Sequence, residues 1–75
     1  MKGIVFTEFI EMVEAKFGYE VVDEILSEPE LPSGGAYTAI GTYSHHEMIV
    51  LVMALSKKTN TPLPALLYAF GRHLF

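Results

Sequence analysis

The segment KGIVFTEFIEMVEAKF, residues 2–17, most constrains what this chain can become. Val5, Phe6, Phe9, Met12, Val13 and Phe17 fall on one side at 100° per residue, with Thr7, Glu11 and Glu14 opposite. That spacing predicts a one-sided helix whose apolar stripe must be covered. Gly18 suits the left-handed position just past its end. A second helix is expected over YEVVDEILSE, residues 19–28, with Val21, Val22, Ile25 and Leu26 inward.

Between residues 29 and 43 the period is lost. Two prolines and three glycines there predict a loop with one short extended stretch near Tyr37 to Ile40. Such a long connection in so short a chain is expected to wrap over a surface. Ser44 and Glu47 are spaced as a capping box, each side chain reaching the other's amide. The cap favours a mostly buried helix over residues 44–59 rather than a strand for MIVLVMAL. Thr61-Pro62 then predicts a last helix over 62–75: a hydroxyl cap followed by proline at the first position. Leu63, Leu67, Phe70, Gly71 and Leu74 share one face of it. The fold class is therefore all-α, with four helices.

Seventy-five residues make at most one small domain, and a chain of this size buries only about 60% of its unfolded surface. With 51% apolar residues, it has more hydrocarbon than its interior can hide. Something else is expected to cover the remainder: a partner subdomain, a second copy or an apolar cofactor. Without cysteines there is no disulfide, thiolate metal site or catalytic thiol.

A net charge of −4 and only five basic residues argue against nucleic-acid binding. The longest apolar run, Met48 to Leu55, falls far short of the roughly 20 residues that span a bilayer. The opening residues lack the pattern of a signal peptide, and a cytoplasmic chain without membrane insertion is expected.

Chemistry-bearing residues are sparse. His45 and His46 are adjacent on a helix and point about 100° apart, which disfavours chelation of one ion. His73 lies beside Arg72 and Ala69, away from the Leu67–Leu74 face, so a surface or partner-facing role is expected. No nucleophile has a nearby base, and Gly34-Gly35 lacks the strand and helix of a phosphate loop. No enzymatic activity and no metal site are expected.

Several features in order carry a resemblance. They are Met1-Lys2-Gly3, the first helix ending at Gly18, and Val21-Val22-Asp23-Glu24 opening the second. Tyr43-Ser44-x-x-Glu47 follows before the third helix, and Phe70-Gly71-Arg72-x-x-Phe75 closes the fourth. Together they resemble the N-terminal helical subdomain of the heme–nitric oxide/oxygen binding (H-NOX, HNOB) family, the gas sensors of bacteria and of soluble guanylate cyclase. The resemblance covers all 75 residues.

It implies that residues 1–75 are the N-terminal part of an H-NOX domain, the distal lobe over a heme, cut in mid-helix. A C-terminal lobe would supply the axial histidine and the Tyr-x-Ser-x-Arg motif that binds the propionates; neither has a match here. By position, Val5, Phe9, Leu67, Gly71 and Leu74 would face the porphyrin. The intact protein would sense nitric oxide and relay binding to a histidine kinase or cyclic-dinucleotide enzyme. The chain alone is expected to hold no heme of native character and to self-associate through its uncovered face. Oxygen-binding members carry polar or indole side chains at the positions of Phe9 and Leu74, and both are hydrocarbon here. A competing expectation is a stand-alone helical dimerisation module without heme.

Overall fold

A computed structural model describes residues 1–27, 31 and 34–74. Four helices form: α1 (Gly3–Phe17), α2 (Tyr19–Ser27), α3 (His45–Thr59) and α4 (Leu63–Leu74). Their limits lie within one residue of the expected ones, while Glu28 and Phe75 fall outside the described residues. No strand occurs among the described residues beyond an isolated bridge between Lys2 and Thr42.

The helices close a ring in which α1 packs on α2 and α4, and α3 packs on the same two. Phe6, Phe9, Met12 and Val13 of α1 meet Val22 and Ile25 of α2, Met48, Leu51 and Leu55 of α3, and Leu66 of α4 in a single core. The period-3.6 stripe of α1 is thus buried where its spacing places it.

Local chemistry sets the breaks. Gly18 leaves α1 at φ 95°, its N–H donating to the Glu14 carbonyl at 3.0 Å. Asn60 ends α3 in the left-handed region at φ 53°, where asparagine is among the tolerated residues. Thr61 does not act as the expected hydroxyl cap. Its hydroxyl sits 2.8 Å from that of Thr59, and the Pro62 carbonyl accepts from the Ala65 and Leu66 amides instead.

The expected capping box is also rearranged. The Ser44 hydroxyl accepts from the His46 amide at 3.2 Å rather than from Glu47, whose amide donates to the Ser44 carbonyl. Glu47 is only 3% exposed, and its carboxylate accepts from the Tyr37 hydroxyl at 2.9 Å. Burying that side chain costs free energy unless it is hydrogen-bonded, and the phenol supplies such a bond.

The long connection wraps over the start of α1, as its length suggests. The expected extended stretch at Tyr37 to Ile40 is instead a turn, with the Gly41 N–H donating to the Thr38 carbonyl at 3.2 Å. Tyr37 stacks on Phe6 with centroids 4.5 Å apart, and Tyr43 meets both rings edge-on. The Gly41 carbonyl accepts from the Gly3 N–H at 2.7 Å, satisfying an amide that the first helical turn leaves orphaned. A Cβ on Gly3 would collide with the Thr38 carbonyl, so this close approach requires glycine.

Candidate functional site

Of the face shared by Leu63, Leu67, Phe70, Gly71 and Leu74, α4 turns only its Phe70 edge toward the core. Leu66 is its buried residue, with Ala69 and Phe70 half-buried against the core. Leu67 stays 60% exposed and Leu74 45% exposed, and Leu63 is exposed too. The large apolar residues of α4 share one broad arc, and the bundle takes only its Leu66–Phe70 edge, which spacing alone could not say. What remains outside is an open hydrocarbon stripe.

Gly71 lies within that stripe. A Cβ placed there would meet no atom within 4 Å, so the glycine answers no packing demand from the described residues. A glycine in a helix interior costs up to about 1 kcal/mol relative to alanine. Here no contact in the bundle offsets that cost.

α3 extends the apolar surface. Expected to be mostly buried, it sinks Met48, Leu51 and Leu55 while Ile49 is 48% and Met53 58% exposed. A groove of about 290 Å³ runs between α3 and α4, lined by Met48, Ile49, Val52, Met53, Leu63 and Leu67. Ile49 and Met53 were not singled out from sequence. Their signal was the unbroken apolar run itself, which wraps the whole helix and cannot be buried on every side in a ring of four.

The residues proposed from resemblance divide into two groups. Leu67, Gly71 and Leu74 lie on the open stripe of α4. Phe9 is only 1% exposed and meets Phe70 edge-on at 5.5 Å, and Val5 is half-buried against the core. The ends of the two helices nevertheless come together, since His73 of α4 lies 3.1 Å from Glu8 of α1, one turn beyond Val5.

None of the three histidines is placed on the apolar stripe. His45 and His46 are exposed in the first turn of α3, and His73 is turned toward Glu8 and Glu11. Arg72 sits over the Tyr68 ring at 5.9 Å. The stripe therefore offers an exposed hydrocarbon surface with open space above Gly71. Those residues fit a face of a planar macrocycle and do not fit its metal. Among the described residues, no helix is long and apolar enough to cross a membrane.

Comparison with known proteins agrees with this architecture. The sequence model of the Haem-NO-binding family matches residues 2–75. The crystal structure of the Fe(II) unliganded H-NOX protein from K. algicida superposes with a TM-score of 0.96 at 49% identity, over 100% of this chain and 40% of that one. An alanine-to-glycine mutant of the same protein, also Fe(II) unliganded, gives a TM-score of 0.95 at 50% identity over 99% of this chain and 40% of the mutant's. This chain thus spans 40% of the length of the H-NOX structures it matches. No match was found among curated proteins. On the family match along nearly its whole length and the identity at the level of structure, the chain belongs to the H-NOX family.

Proposed function

We propose that residues 1–75 form the distal lobe of a heme-based nitric oxide sensor, with Leu67, Gly71 and Leu74 against the porphyrin. The observation that carries this reading is the empty space above Gly71, set between two exposed leucines. Val5, half-buried on the core, and Phe9, buried against Phe70, would stand behind the same face. When bound, heme supplies an iron site for diatomic gases. Its axial ligand and propionate partners come from a C-terminal lobe, because no histidine of this chain faces the stripe.

The side chains proposed to face the heme, Val5, Phe9, Leu67 and Leu74, exclude water and offer no N–H or O–H. A hydrogen bond to a charged acceptor is worth about 1.5–3 kcal/mol. Its absence costs oxygen roughly tenfold or more in affinity, at about 1.4 kcal/mol per decade. Nitric oxide depends less on such a donor, so the sensor takes nitric oxide and carbon monoxide in preference to oxygen. The bound state is relayed to a signalling partner, a histidine kinase or cyclic-dinucleotide enzyme. This lobe catalyses no reaction itself.

A chimera tests the proposal: residues 1–75 joined to the remainder of the K. algicida H-NOX protein. It is expected to load heme, bind nitric oxide when reduced, and show no stable oxy spectrum in air. A chimera that folds without loading heme would sink the heme-facing assignment. A stable oxy spectrum would sink the ligand preference alone.

A further inference from the structure

The last turn of α4 and the second turn of α1 build a second site, unrelated to the apolar stripe. Glu8 and Glu11 stand three residues apart on α1 and so share one face of that helix. His73 comes to them from the opposite end of the sequence. Its Nε2 lies 3.1 Å from a Glu8 carboxylate oxygen and 3.9 Å from one of Glu11. One ligand atom from each residue falls within 4.8 Å of the others.

Donors at about 2.0–2.1 Å from a tetrahedral zinc are about 3.3 Å apart. The side chains that carry the three atoms are partly exposed, so rotation can bring them to that spacing. One imidazole and two carboxylates match Zn²⁺ in charge and donor type, and water can take the fourth position. Two cations stand nearby: Arg72 and Lys16 line a groove that His73 shares, and the Arg72 guanidinium lies over the Tyr68 ring, 3.4 Å from its hydroxyl.

The geometry points to a zinc site formed by Glu8, Glu11 and His73 that ties α4 to α1. In its absence a His73–Glu8 hydrogen bond makes the same link. With zinc bound, three ligands from two helices hold the end of α4 in place. The site would therefore couple divalent metal to the stability of the two helices that approach each other at Phe9 and Phe70.

The test uses the 75-residue chain itself. Zn²⁺ affinity is read by competition with a chromophoric chelator, and Co²⁺ is used separately for its visible absorption. One ion per chain is expected, with a rise in Tm. His73→Gln and Glu8→Gln should each weaken binding at least about tenfold, the size of effect that losing even an outer-shell partner produces. His45→Gln and His46→Gln should leave it unchanged. Circular dichroism of each variant confirms that folding is intact, as all four side chains are partly or fully solvated. Binding that persists in His73→Gln, that requires His45 or His46, or that never saturates at one ion per chain overturns the assignment.

Discussion

Phe6 on α1 has a tyrosine ring stacked on it at 4.5 Å, another edge-on at 5.4 Å, and no exposed surface. Leu67 on α4 carries a similar hydrocarbon load and is 60% exposed beside an open groove. Both side chains belong to helices of one small ring. Around Phe6 the chain supplies every partner from its own residues, including a loop that closes over the helix start. Around Leu67 it supplies none on the outer side. The first region answers to folding, and the second to whatever comes to lie against it. Substitutions should therefore separate the two.

The largest effect is expected at Phe6. Phe6→Ala removes the ring between Tyr37 and the core, and large-to-small aromatic changes cost about 3–5 kcal/mol. Small domains hold little more than that, so the variant should be substantially unfolded by circular dichroism at room temperature. Retention of a cooperative melt near the parent's Tm would show that the aromatic cluster is peripheral.

Gly3→Ala comes next. The added methyl meets a backbone carbonyl rather than a side chain that can swing away, and overpacking of this kind costs about 1–3 kcal/mol. A clear loss of Tm is expected, together with faster hydrogen exchange at the Gly3 and Tyr43 amides. No change would mean that the 38–41 turn yields easily.

Tyr37→Phe removes a donor from the buried Glu47 carboxylate while leaving the ring stack in place. Weakening a buried charged acceptor in this way costs about 1–3 kcal/mol. Denaturant melts should show the loss without a change in m. A stability equal to the parent's would assign Glu47 to its other contacts.

The smallest stability effects belong to the open stripe. Leu67→Ala should stay within about 0.5 kcal/mol of the parent, as solvated positions do, and Gly71→Ala should stabilise by up to about 1 kcal/mol, since no contact offsets the cost of glycine there. Their consequences should appear elsewhere. Leu67→Glu is expected to reduce self-association of the chain in sedimentation, and Gly71→Leu to impair heme loading in the chimera. Parent-like behaviour in both assays would remove the basis for separating the two regions.

The same contrast explains what could be read from the sequence. Helix limits were legible because their signals are local: Gly18, Ser44 and Pro62 sit beside the breaks, although Thr61 does not cap α4 as expected. The buried stripe of α1 was legible because Thr7, Glu11 and Glu14 leave only one apolar side. On α4 the large apolar residues fill one arc wider than the bundle can cover, and only the neighbouring helices decide that its Leu66 edge goes in and its Leu67 edge stays out. Phe9 follows the same logic. Its spacing places it on the inner face, but the Phe70 ring that encloses it is 61 positions away. The Glu8–His73 meeting spans 65 positions and had no sequence signal at all. Of the candidate site, period grouped Leu67, Gly71 and Leu74 on one face, and only the family resemblance supplied the expectation that this face meets a heme.

The hydrogen bond from Gly3 to Gly41 also has a kinetic meaning. It joins the start of α1 to a turn that lies beyond the whole of α2, and such a closure loses chain entropy before its contacts can form. The Tyr37–Tyr43 segment should accordingly dock after α1 and α2 have paired. Changes at Thr38, Gly41 or Tyr43 would then accelerate unfolding and leave the folding limb of a chevron nearly unmoved. Residues 38–43 would act as a latch on a bundle already assembled, setting how long the native state lasts and not how quickly it is reached.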